Sequence, residues 1–98
     1  MAQIKITPEE LRDASNFLMQ RLETINSEVA SLHSKIEEVT NNWEGASRSS
    51  FVETFESDMY PILRDTLPQV VEGISGQLDG AADAIEHADE EVAKAFKG

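Results

Sequence analysis

The spacing of apolar residues ahead of the single tryptophan is the feature that most limits how this chain can fold. Leu18, Leu22, Ile25, Val29, Leu32, Ile36, Val39 and Trp43 follow one another in alternating steps of four and three. That is a heptad seam, the pattern of a helix whose apolar edge lies against a partner. Leu11 continues it upstream, with Ser15 in the slot between. The spacing predicts one helix over about residues 8–41, roughly 50 Å long at 1.5 Å per residue. Its start is well marked: Thr7 is a good N-cap, Pro8 fits the first helical position, and Glu10 completes a capping box with Thr7. Ile6 and Leu11 stand at the hydrophobic-staple positions, and Glu9, Glu10 and Asp13 suit the positive end of the helix dipole.

The seam runs into Asn41–Asn42–Trp43–Glu44–Gly45 near the middle of the chain. A large ring anchors a reversal there and the glycine supplies backbone freedom, so a turn is expected over about 42–46. A second helix is expected over about 47–96. Its apolar positions include Phe51, Phe55, Met59, Ile62, Leu63, Leu67, Val70, Val71, Ile74, Leu78, Ile85 and Val92. The pairs Ile62–Leu63 and Val70–Val71 make that stripe wider than one neighbouring helix needs. Pro61 and Pro68 each remove a backbone donor, which predicts a kink near 60–68. Gly73, Gly76 and Gly80 either permit close helix approach or loosen the helix locally. The short connection makes the two helices antiparallel.

The expected fold is therefore all-α: an antiparallel helical hairpin with a Trp-x-Gly turn, one domain over residues 1–98, dimerising into an elongated four-helix bundle. Hairpin and dimer packing are assigned to Leu18, Leu22, Ile25, Val29, Leu32, Ile36, Val39, Phe51, Phe55, Leu67, Ile74 and Leu78. Two helices alone enclose little interior, so a second hairpin is the natural cover for the remaining apolar width.

Composition closes several functional routes. The 98 residues carry a formal net charge of −11 with no cysteine. Such a field opposes nucleic-acid phosphate and anionic membrane surfaces, and no thiolate metal site or disulfide is possible. No apolar run approaches the roughly 20 residues of a membrane span, so no stable membrane insertion is expected. The N-terminus lacks the apolar core and cleavage site of a secretory signal, so export would proceed without a cleaved leader.

With Trp43–Glu44–Gly45 placed between two helices in a chain of this length, the sequence resembles the WXG family of about one hundred residues, the early-secreted-antigen-like substrates of type VII secretion. Thr7–Pro8–Glu9–Glu10–Leu11 is similar to the opening of homodimeric members from Gram-positive bacteria. Phe51, Phe55, Pro61 and Ala82–Asp83–Ala84 match features that follow the signature turn. The resemblance implies a small protein made in the bacterial cytoplasm, exported folded and leaderless by a membrane ATPase, paired with itself or with a sister protein of the family, and acting as effector or export partner. It also implies a composite export signal. One half is the Trp-x-Gly turn, here Trp43, Glu44 and Gly45. The other is a Tyr-x-x-x-Asp/Glu motif, or a His-led equivalent, late in the second helix. No tyrosine lies near this C-terminus, and His87 with Glu91 is the nearest match.

No catalytic residue, cofactor or metal site is expected. No nucleophile constellation or phosphate loop is present. Asp83, His87 and Glu91 recur every four residues, but three ligands from one straight helix are poorly arranged for tetrahedral zinc. His33 reads as a surface histidine, and the carboxylate runs read as solvated helix faces. Two other classes fit the pattern in outline. One is a cytosolic coiled-coil adaptor. The other is a small helical dimeric enzyme of chorismate mutase type, which needs cations converging on a dianion; Arg12, Arg21, Arg48 and Arg64 are instead spread along the chain.

Overall fold

The computed structural model describes residues 6–97. The expected staple partner Ile6 opens this range, while the remainder of the N-terminal lead-in lies outside it. Helix α1 runs Pro8–Asn41 and helix α2 Ala46–Thr54; two π-helical turns follow, Phe55–Met59 and Ile62–Thr66, and helix α3 runs Leu67–Lys97. Among the described residues there is no strand. The capping box forms at the start of α1: the Glu10 N–H donates to Thr7 Oγ1 at 3.1 Å and the Thr7 N–H to Glu10 Oε2 at 3.3 Å. Two orphan donors of the first turn are thereby satisfied.

The prolines are met by widened turns. The Tyr60 N–H bonds to Phe55 O and the Leu67 N–H to Ile62 O, each reaching five residues back. Pro61 has no N–H, and its ring crowds the carbonyl one turn earlier. A wider turn relieves that crowding and lets the next donor find a partner, while the backbone stays right-handed helical at Tyr60, Pro61 and Leu67. Pro68 sits at the second position of α3, directly after the second wide turn.

The chain divides into two compact units. The unit Arg21–Val71 contains the reversal. On α1 its buried and half-buried positions are Leu22, Ile25, Val29, His33, Ile36 and Thr40, followed by Trp43 in the turn; Phe51, Val52, Phe55, Tyr60, Leu63, Leu67 and Val71 are among their counterparts after it. At two places the inward position is polar. His33 and Thr40 face inward, and Leu32 and Val39 stay 45% and 50% exposed one residue earlier.

The other unit joins Met1–Gln20 to Glu72–Gly98. Leu11, Ser15 and Leu18 on α1 and Ser75, Leu78, Ala82 and Ile85 on α3 are among its least exposed positions, with Ala82 fully buried. Ser15 Oγ lies 3.2 Å from Ser75 O and Ser75 Oγ 3.4 Å from Ser15 O, with the two hydroxyls in contact, so the buried polar groups satisfy each other. Arg12 holds α3 from the rim: its Nη2 donates to Asp83 Oδ1 at 2.8 Å and its Nη1 to Glu86 Oε1. A Cβ at Gly73, Gly76 or Gly80 would meet nothing within 4 Å. Helix packing within the chain therefore does not require those glycines.

Candidate functional site

The signature residues sit in a compact turn whose geometry follows from how α1 ends. The Asn42 N–H donates to Val39 O and the Trp43 N–H to Thr40 O, both at 3.2 Å, so the last turn tightens to three-residue spacing. The Asn42 side-chain amide donates to Glu38 O at 3.3 Å. Gly45 then takes φ 112° and ψ 175°, a region that L side chains rarely enter, and the chain reverses into α2. This is the backbone reason for glycine in the third position of the motif. Glu44 lies on the exposed outside of the turn.

Trp43 is half-buried. Its indole N–H donates to Ser47 Oγ at 3.2 Å, and its ring lies 5.5 Å from Phe51 at a tilt of 41°. From Phe51 the aromatic contacts continue to Phe55 at 6.0 Å and from Phe55 to Tyr60 at 5.8 Å. The ladder therefore joins the turn to the first wide turn before Pro61. It gives Trp43 a packed underside and leaves part of the ring to solvent, an arrangement suited to recognition by another protein.

His33 corrects its reading as a surface residue. Its ring lies on Tyr60, Nδ1 is 3.0 Å from Glu37 Oε1, and Nε2 is 3.1 Å from Glu56 Oε1. The seam step from Val29 lands on His33 when it is four residues and on Leu32 when it is three, and the sequence alone does not choose between them. The contact with Glu37, four residues along the same helix, was the visible signal. Arg48 was also missed. It donates its Nε–H to Thr40 O at 2.6 Å. The available signal was a cation in the first turn of a helix, where the dipole disfavours one.

His87 and Glu91 occupy α3 in the other unit, both well exposed, with Nε2 and Oε1 4.0 Å apart and Lys94 Nζ 3.8 Å from the same carboxylate oxygen. This is a solvated cluster. Asp83, on the same face, is taken by Arg12. Among the described residues no group of three or more His, Cys, Asp or Glu side chains is placed to hold a metal ion, and no helix is long and apolar enough to cross a membrane.

The profile described as "Proteins of 100 residues with WXG" matches residues 3–90. The type VII secretion system extracellular protein A of Staphylococcus aureus is 33% identical over 96 residues, which is 98% of this chain and 97% of that protein. Two solved structures share the fold. EsxA of Geobacillus thermodenitrificans superposes with a TM-score of 0.71 at 24% identity, over 93% of this chain and 97% of that one. The secreted protein EsxB of Bacillus anthracis superposes with a TM-score of 0.66 at 30% identity, over 86% and 88% respectively.

Proposed function

The chain belongs to the WXG100 family, and on that premise we propose that it is a small substrate of a type VII secretion system, exported without a cleaved leader as a folded dimer. The S. aureus relative, named as an extracellular protein of such a system, supports the route. The observation that carries the dimer is the position of the exposed apolar residues. In the unit Arg21–Val71, Leu32, Val39 and Val70 each stand one residue before an inward position, namely His33, Thr40 and Val71. In the other unit Phe17 and Ile74 stand likewise before Leu18 and Ser75. One residue back is a rotation of about 100° on a helix. Because the helices of each unit run antiparallel, the same backward step on both brings their stripes out on the same side of the pair. An apolar strip on one side suits a second helical hairpin, and two such pairs make a four-helix bundle.

In this reading Trp43, Glu44 and Gly45 form one half of the export signal, and His87 with Glu91 forms the other. Antiparallel association sets the turn of one copy beside the late α3 of its partner, and the completed signal is what the secretion ATPase reads. The partner is a second copy or a sister protein of the same family, and the chain acts as effector or export partner.

Export separates this function from that of a cytosolic coiled-coil adaptor. Intact protein is expected in culture supernatant from unlysed cells, and its loss on inactivating the secretion ATPase is the deciding result. Retention in the cytoplasm of a strain that exports other substrates of the system would refute it. Trp43→Ala and His87→Ala, scored for export beside the dimer mass, then test the two half-signals separately.

A further inference from the structure

The turn is built at the expense of the helix that follows it. α2 begins from Gly45, with no side-chain hydrogen bond from the cap and no acidic residue in its first turn. Its third residue is Arg48, a cation at the end of the helix dipole that disfavours cations. Judged by its own helix, Arg48 is misplaced.

The end of α1 accounts for it. The last turn of α1 contains no basic residue, so the carbonyls at its negative pole have no cation from their own helix. Arg48 reaches back across the turn and donates its Nε–H to Thr40 O at 2.6 Å. The Trp43 backbone N–H donates to the same oxygen at 3.2 Å. One carbonyl, on a buried residue, thus ties the guanidinium to the backbone of the tryptophan.

We infer that Arg48 is the positioning residue of the turn, holding the Trp43 indole in the orientation in which the export machinery engages it; this rests on the reading of the turn as half of an export signal. The orientation depends on both sides of the reversal. The Trp43 backbone belongs to the end of α1, whereas Ser47, which accepts the indole N–H, and Phe51, which packs against the ring, belong to α2. Between them stands Gly45, the one residue of the turn with the backbone freedom to hinge. The Arg48–Thr40 bond spans that hinge. Without it α2 turns about Gly45 and carries Ser47 and Phe51 away from their places beside the indole.

Because Trp43 is the only tryptophan, its emission and its quenching by acrylamide report on this site alone. Arg48→Gln, made in the full chain, is expected to keep the helix content and the mass in solution of the parent. It should shift Trp43 emission to the red, raise quenching by acrylamide, and lower export severalfold. Arg48→Lys keeps the charge without the planar fork and should recover part of each. Parental emission and quenching in Arg48→Gln would overturn the inference. So would parental export of Arg48→Gln beside a Trp43→Ala variant that is not exported. If Arg48→Gln loses helix content, Arg48→Lys decides: emission and export displaced together uphold the inference, and either one unchanged overturns it. Normal export of Trp43→Ala would instead refute the signal reading beneath it.

Discussion

His33 lies flat on Tyr60, with ring centroids 4.0 Å apart and planes within 16°, so a polar side chain fills a position where heptad spacing admits an aliphatic one. Phe55 lies beyond at 6.1 Å, and the Arg64 guanidinium sits over the same Tyr60 ring, 5.1 Å from its centroid. The histidine thereby fastens α1 to the first wide turn, whose Glu56 it also contacts. Truncating it removes ring stacking and both carboxylate contacts.

His33→Ala is accordingly expected to lower stability by about 1–2 kcal/mol, the scale of a lost ring pair plus one net hydrogen bond. His33→Leu should lose less, because it keeps apolar volume against Tyr60 and Phe55 while the exposed Glu37 and Glu56 return to water. Urea melts of the three proteins at one concentration check this. Equal losses for alanine and leucine would show that the carboxylates, and not the packing, carry the contribution.

Gly45→Ala tests the backbone of the turn in isolation. A Cβ there meets nothing within 4 Å, so any loss comes from the φ of 112° and not from crowding. A loss of about 1–3 kcal/mol is expected, the usual range for a residue held in such a region. Gly45→Asn should not rescue it, because asparagine favours the left-handed helical well and the observed ψ of 175° lies outside that well. A stability unchanged by alanine would mean that the turn relaxes to another conformation without loss.

Gly73→Ala, Gly76→Ala and Gly80→Ala separate two reasons for glycine within α3. Open space surrounds each within the chain, so alanine should gain up to about 1 kcal/mol of helix propensity per site. If the glycines instead receive a second hairpin closely, the same variants will dissociate the dimer while raising the helix content of the monomer. Sedimentation and thermal melts on one set of samples distinguish these outcomes.

The start of α1 and the turn were legible because short-range rules decide them. Thr7 and Glu10 carry a complete capping box in four residues, and Trp43–Glu44–Gly45 needs only local backbone geometry. The inward face of α1 was less so. Steps of three and four are equally helical, and choosing His33 over Leu32, or Thr40 over Val39, depends on what lies opposite. The π turns around Pro61 shift the rotational phase of the second helical run, and propensity does not specify whether proline strain yields a kink or a wider turn. Arg48 was hidden for a different reason: its partner is a backbone carbonyl of another helix, and carbonyls leave no mark in a sequence.

The rim contact of Arg12 predicts a pH dependence of defined sign. The hydrogen bond from Arg12 holds the Glu86 carboxyl below its ordinary value, and the same contact, with that to Asp83, raises the Arg12 guanidinium above its own. A carboxyl depressed in the folded state contributes stability above its unfolded value, and that contribution is lost as pH falls through the folded one. The arginine contribution is fully present below the ordinary arginine value and disappears only at extreme alkaline pH. Arg64 depresses Asp65 in the same sense. Glu86→Gln should therefore flatten the fall in stability on acidification below about pH 4.5, by a small amount because both groups are exposed and salt screens them. A steeper acid limb in the variant would contradict this assignment.

Leu32 and Val39 provide the sharpest test of the exposed strip. In an isolated hairpin, replacing exposed residues that touch little leaves stability within about 0.5 kcal/mol. Leu32→Glu and Val39→Glu should then be silent if the strip faces water. If it faces a second hairpin, each variant buries a carboxylate without a partner, which is strongly unfavourable, and dimer formation should fail. The neighbouring inward positions serve as controls, because His33→Leu alters the inside of the hairpin and leaves the strip intact. The expected result is a monomer for both glutamate variants and a dimer for His33→Leu, read by sedimentation at matched concentrations. Dimers throughout would place the interface on another face of the hairpin, since a carboxylate buried on this strip without a partner would have cost the association.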